Sequence, residues 1–134
     1  MNAFIVDVEN RPGQMGRVTK VLAERGVNLL VYSLGLGTKG VIAFIAHDEE
    51  RARSALRDAG IGCREVPVIF VRMEDKPGQA ASASRRLAEA GVNVEAWLPV
   101  DTNPAKFTYA VGVDKVDAAR QALSGQLTTW SYHG

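Results

Sequence analysis

Apolar and polar positions alternate over Ala3–Val8, with Phe4, Val6 and Val8 on one face and Ala3, Ile5 and Asp7 on the other, which predicts a strand. Asp7 marks the second face as only partly buried. Pro12 stops the alternation and fixes φ where a helix must begin. Met15, Val18 and Leu22 then recur at helical spacing, and Gly26 stands where a left-handed residue ends a helix. Leu29–Leu34 and Val41–Ala46 read as two strands of a hairpin around Gly35, Gly37 and Gly40. Asp48 is placed to cap a second helix, Glu49–Ala59, whose apolar positions are Ala52, Ala55, Leu56 and Ala59. After Gly60, Gly62–Val66 predicts a short fourth strand.

The same succession then starts again. Val68–Met73 puts Ile69, Val71 and Met73 on one face, with Arg72 in the place of Asp7, and Pro77 stops it. Ala80, Ala83 and Leu87 form the apolar line of the next helix, and Gly91 ends it. Val94–Val100 and Lys106–Val113 follow as strands around a longer loop with Pro99 and Pro104. Asp114 is expected to cap a helix carrying Val116, Ala119 and Leu123, and Gln126–Tyr132 to form the last strand. Laying Phe4–Leu30 over Ile69–Glu95 without a gap makes 11 of 27 positions identical, where chance would give about two. The chain is one small unit built twice. The expected architecture is α+β: two βαββαβ units, residues 1–66 and 67–134. Each is a two-layer sandwich, and their strands are expected to join into one eight-stranded antiparallel sheet with four helices on one face. Pro67 leaves open whether a unit's last strand stays in its own sheet.

Composition narrows the function. Sixteen basic and fifteen acidic residues leave a net charge of +1 without a basic block, so nucleic-acid binding lacks the phosphate-neutralising charge it draws on. No apolar run approaches the roughly 20 residues of a membrane helix. Met1-Asn2-Ala3-Phe4 has neither the basic start nor the apolar stretch of a signal peptide, and Cys63 is alone; a cytoplasmic location is the expectation. Chemistry-bearing constellations are missing too. His47 and His133 stand at no metal spacing, Cys63 has no histidine near it in sequence, and Ser33, Ser54, Ser82 and Ser84 sit in no nucleophile elbow. Gly35-Leu36-Gly37-Thr38-Lys39-Gly40 lies in a hairpin and lacks P-loop spacing. Neither a cofactor nor a metal is expected.

Two motifs remain: Asn10-Arg11-Pro12-Gly13 with Gly26-Val27-Asn28, and Asp75-Lys76-Pro77-Gly78 with Gly91-Val92-Asn93. An [N/D]-x-P-G turn, a helix, then G-V-N into a strand, found twice, resembles the ACT domain, a regulatory module of ferredoxin-like βαββαβ topology that binds small molecules. The resemblance covers nearly the whole chain as tandem copies. It implies a non-catalytic protein that binds a free amino acid at seams between copies, and a homodimer with a possible enzyme partner. Carried over by position, Asn10 and Asp75 hold the turn position that contacts ligand, and Asn28 and Asn93 the strand position that does likewise. The implied pairs are Asn10 with Asn93 and Asp75 with Asn28. Val8 and Met73 stand where serine-binding members carry a histidine, which turns the expectation away from serine.

The residue types suit a zwitterion. Gly13 and Gly78 let the backbone approach, and the amides at the following helix start, around Gln14 and Gln79, can face a carboxylate. Arg11, Pro12, Lys76 and Pro77 complete the two turns. Asn28 and Asn93 offer both donor and acceptor, and Asp75 suits an ammonium better than Asn10 does, so the two sites should differ in affinity. Leu30 and Tyr32, or Trp97 opposite Glu95, are candidates to line the ligand's side chain. The mostly apolar strand positions favour a branched-chain or other apolar amino acid. Structural readings stand beside these: Asn10 and Asp75 as helix caps, Asn28 and Asn93 as turn residues, Trp97, Trp130, Tyr109 and Tyr132 as core or interface.

The function expected is thus an amino-acid sensor that modulates a partner protein. The alternative is a ligand-free assembly subunit of an amino-acid biosynthetic enzyme, with Tyr32 and Trp97 as anchors on the open sheet face. An enzyme on the same scaffold is a third reading, for which no acid, base or nucleophile can be named.

Overall fold

The first alternating stretch forms β1 (Asn2–Glu9), as its period requires. A computed structural model describes residues 1–132, so His133 lies outside the described residues. They form two compact units, Asn2–Glu65 with Tyr132 and Val66–Ser131 with Met1.

In the first unit β1 is followed by α1 (Gln14–Glu24), β2 (Leu29–Leu36), β3 (Lys39–Ala46) and α2 (Glu49–Asp58). The sheet order is β2-β3-β1, antiparallel throughout, with Phe4 opposite Phe44 and Val31 opposite Phe44 from the other side. Both helices pack on one face. Phe4, Val6, Ile42, Phe44 and Ala46 of the sheet meet Val18 and Leu22 of α1 and Ala52, Ala55 and Leu56 of α2 in one core. The Phe4 and Phe44 rings stack there at 4.9 Å. Cys63 flanks this core half-buried, and burial pushes its thiol pKa up.

In the second unit β4 (Arg64–Glu74), α3 (Gln79–Glu89), β5 (Val94–Thr102), β6 (Lys106–Val113) and α4 (Val116–Ala122) repeat the plan. The order is β4-β6-β5, antiparallel, and Ile69, Val71, Val111 and Val113 pack with Ala83, Leu87, Ala119 and Leu123.

Each first helix ends in the same way. Gly26 and Gly91 donate to Ala23 and Ala88, and Val27 and Val92 reach back to Leu22 and Leu87 at 3.0 and 2.9 Å. These bonds satisfy the last carbonyls and aim the chain into the next strand. Asp48 caps α2 as expected, accepting from the Arg51 amide at 3.0 Å. Asp114 does not cap α4. Lys115 holds the cap position without a side-chain bond, and Asp114 Oδ1 accepts from the Asn93 amide at 2.9 Å. Its counterpart His47 does the same for Asn28, with Nδ1 at 2.9 Å from the amide.

Several further expectations are corrected. Among the described residues there are six strands rather than eight. The segment predicted as a separate strand at Gly62–Val66 contributes its residues from Arg64 onward to the eleven-residue β4. Gln126–Tyr132 forms no strand either. Ser124–Gln126 tightens into a 3₁₀ turn, after which Leu127 bridges Val71 and Thr128 donates to Phe70 at 3.0 Å. Leu127 then lodges beside the second core and the Trp130 ring lies 5.5 Å from that of Phe70, so side-chain docking replaces the ladder. Trp97 is no anchor on the open face. It lies opposite Val111, packs against the helix-side core and meets the Tyr109 ring at a tilt of 42° with centroids 5.2 Å apart. Met15 and Ala80, the first apolar positions of α1 and α3, are exposed, because each core begins one turn later at Val18 and Ala83.

Candidate ligand-binding site

Both repeats turn from first strand to first helix through a glycine that only glycine suits: Gly13 has φ 92° and Gly78 φ 89°. Neither helix has a side-chain cap, which removes the capping reading of Asn10 and Asp75. The first helical bond in α1 runs from the Arg17 amide to Gly13 O at 3.0 Å, so the amides of Gln14, Met15 and Gly16 point ahead of the helix. Such a terminus carries partial positive charge.

In the first unit these amides open on a pocket of about 150 Å³. Asn10, Arg11, Gly13 and Gln14 line its turn side, and Val8, Ser33, Leu34, Gly40 and Ile42 its sheet side. Met15 forms part of the wall, which accounts for its exposure. Arg11 organises the rim. Its Nε lies 2.8 Å from Glu9 Oε2, and the Gln14 amide, with its oxygen turned to Arg11, accepts from Nε and Nη2 at 3.1 Å. Asn10 spans to the hairpin. Its Nδ2 donates to Gly37 O at 2.8 Å and its amide to Thr38 O at 3.1 Å.

The second unit repeats the backbone of this arrangement but not its side chains. Lys76 pairs with Glu74 at 2.9 Å, as Arg11 does with Glu9, and that hydrogen bond holds the Glu74 carboxyl below the usual range. The Asp75 amide reaches Ala105 O at 3.4 Å, but its carboxylate has no proton to donate and cannot repeat the Asn10 side-chain bond. Tyr109, packed between Trp97 and Phe107, has its phenol pKa raised by burial and then by the Asp75 charge. A groove of about 220 Å³ lies outside, lined by Arg72, Met73, Glu74, Lys76, Gln79, Lys106 and Gln126.

Of the expected site residues, the structure gathers Asn10, Arg11, Gly13 and Gln14 at the first pocket and Lys76 and Gln79 at the second groove. Pro12, Asp75, Pro77 and Gly78 shape the turns. Asn28, Leu30, Asn93 and Glu95 lie elsewhere in their units. Glu9 is opposite Lys39 and Leu29 opposite Ala46, so Leu29 stands about seven strand residues, roughly 23 Å, from Glu9, and Asn28 is farther still from the Asn10 turn. Leu30 and Glu95 are not equivalent either, since β5 changes register between Val94 and Ala96. Val8 was singled out in the sequence by its place in the motif, whereas the other sheet-side residues, Ser33, Leu34, Gly40 and Ile42, escaped the sequence reading. Each looks like ordinary strand or hairpin material, and only register brings them together. The recurrence of Glu9-x-Arg11 as Glu74-x-Lys76 was the available signal for the rim pair. Among the described residues no group of three or more His, Cys, Asp or Glu could hold a metal, and no helix is long and apolar enough to cross a membrane.

The repeated turn, the helix it launches and the sheet behind it define a pair of α+β modules built on one plan. Residues 1–103 match the family described as the ACT domain pair, and the chain belongs to that family. No curated protein matches the chain. Among solved structures it is similar to a protein from Bacteroides thetaiotaomicron, at 22% identity and a TM-score of 0.77 over 95% of this chain and 90% of that one. It is also similar to the ligand-free regulatory subunit of aspartate kinase from Thermus thermophilus, at 21% identity and a TM-score of 0.63 over 92% and 91%. The corresponding subunit from Thermus flavus has 20% identity and a TM-score of 0.64 over 92% and 91%. These likenesses are of fold.

Proposed function

We propose that the protein is a non-catalytic regulator that binds a small amino acid at the strand–helix turn and thereby changes its association with an enzyme of amino-acid metabolism. The observation that carries this reading is the first-unit pocket, where helix-start amides and a polar rim face apolar walls from Val8 and Ile42. A free amino acid needs donors for its carboxylate, acceptors for its ammonium and a dry surface for its side chain. Helix amides supply the first, Glu9 and Asn10 oxygens the second, and the strand residues the third. Membership of the ACT domain pair family supports the regulatory half, and the aspartate kinase regulatory subunits of the same fold suggest the kind of enzyme served. Asn28 and Asn93, far from the turn of their own unit, have no contact with ligand from within that unit on this reading.

The test is a thermal-melt screen against the twenty amino acids at millimolar concentration. A ligand that binds only the folded chain stabilises it by about 2.7 kcal/mol at a hundredfold excess over Kd. One or two related amino acids should raise the midpoint by several degrees. A flat panel would sink the sensor reading and leave the ligand-free assembly subunit, for which co-purification with an enzyme is the next measurement.

A further inference from the structure

We infer that the two repeats are unequal and that only the first holds the ligand, one small amino acid with an aliphatic side chain per chain. This rests on the amino-acid-binding reading above and deepens it. Paired differences between the copies, aligned by strand register, set the two apart.

Val8 faces Gly40 across the first sheet, and Met73 faces Phe107 across the second. Ser33 is opposite Ile42, and Pro99 opposite Tyr109. Thus Gly40, Ile42 and Ser33 in the first copy become Phe107, Tyr109 and Pro99 in the second. All lie at the hairpin end of the helix-facing side. In the first copy Gly40 brings no side chain to that end and Ser33 and Ile42 bring smaller ones than their counterparts, and the space is the pocket of about 150 Å³. In the second, an aromatic row occupies it: Trp97 on Tyr109 at 5.2 Å, then Tyr109 on Phe107 at 6.1 Å. What is left outside is a groove in which Met73 is the one apolar residue beside Arg72, Glu74, Lys76 and Lys106, so an aliphatic side chain would meet mostly charge. The second repeat therefore keeps the turn and fills the pocket with itself. Gly40 is the main opening residue. A Cβ there would come within 3.3 Å of Val8 Cγ2 and 3.6 Å of Leu34 O, at the pocket wall, and a phenyl ring would extend into the space as Phe107 does in the second copy.

The experiment titrates the full chain by calorimetry with whichever of the twenty amino acids shifts the melt most, alongside Gly40→Phe, Ser33→Leu and Lys106→Ala. Amide shifts are followed by NMR in the unsubstituted protein. The expected result is an aliphatic amino acid with a stoichiometry of one. Affinity should fall at least about tenfold in Gly40→Phe and Ser33→Leu and stay unchanged in Lys106→Ala. Shifts should gather at Val8, Ser33 and Gly40 rather than at Met73 and Phe107. The NMR map reads the site even if a pocket substitution fails to fold. Two sites per chain, a charged or aromatic amino acid as best ligand, or shifts centred on the second repeat would overturn the inequality while leaving amino-acid binding intact. No response to any amino acid would overturn the binding reading and this inference with it.

Discussion

Replacing Asn10 with aspartate changes one atom, and the structure states what that atom does. Asn10 Nδ2 donates to Gly37 O at 2.8 Å, tying the strand–helix turn to the β2–β3 hairpin, and the amide lies directly over Gly35, where an added Cβ would come within 2.9 Å of Nδ2. A net intramolecular hydrogen bond contributes about 0.5–1.5 kcal/mol, and this one is exposed, which favours the lower half of that range. Aspartate loses the donor and turns an oxygen towards the carbonyl, so Asn10→Asp should cost about 1 kcal/mol, somewhat more than Asn10→Ala. In a unit of this size that is about 4–8 °C in midpoint. The second repeat already carries aspartate, at Asp75, and has no such side-chain bond to lose, so Asp75→Asn and Asp75→Ala should stay within about 0.5 kcal/mol of the parent. The assay is urea denaturation with the slope m unchanged, so that midpoint differences are stability differences. Equal effects at positions 10 and 75, or an Asn10→Asp midpoint at the parent value, would refute the reasoning.

Other contacts in the fold carry outcomes of their own. Gly13→Ala and Gly78→Ala should each lose about 1 kcal/mol, because φ near 90° is strained for any residue with a Cβ; a melt monitored by circular dichroism checks this, and no loss would remove the strain argument. Leu22→Ala and Leu87→Ala, at fully buried positions, should each cost about 2–5 kcal/mol and lower the denaturation midpoint. The Glu65 carboxyl accepts from Arg53 Nε and Nη2 at 2.7 and 2.6 Å and from Asn2 Nδ2 at 3.1 Å. The Arg53 bond, ahead of the other influences, depresses its pKa from the ordinary 4.5. A depressed carboxylate stabilises the fold above its unfolded pKa and loses that contribution as pH falls through the folded value, so the loss should begin near pH 4.5 and grow below it. Glu65→Gln should flatten this part of the stability–pH curve; an unchanged slope would show that the pair is not the source.

The two turns illustrate how much could be read in advance. Pro12-Gly13 and Pro77-Gly78, followed by Gly26-Val27 and Gly91-Val92, act through φ values and amide bonds within a few residues, and the structure has them as expected. Asp48 is also local, and it caps its helix. Asp114 is no cap because α4 starts one residue later than expected, with Lys115 at the cap position, and its oxygen accepts from the Asn93 amide instead. Leu127 likewise found a side-chain docking place where a strand was expected. Met15 fits the helical period but precedes the level at which the sheet begins to cover α1, so period alone assigned it to the wrong environment.

By itself the sequence determined the duplication, the α+β class, the strand–turn–helix order and the family, because each depends on neighbours within one turn or one strand. Only the tertiary structure decided which residues share a pocket. Asn10, Ser33 and Gly40 meet because antiparallel register folds the β2–β3 hairpin back beside the turn after β1. The same register puts Asn28 at the far end of the sheet. It also sets Phe107 and Tyr109 in the space that Gly40 and Ile42 leave open. The identities of the ungapped alignment end at Asn28 and Asn93, before the hairpins, and those hairpins differ in loop length, with bulges in β5. The residues that make the two repeats unequal therefore lie where likeness between them can no longer be counted along the chain.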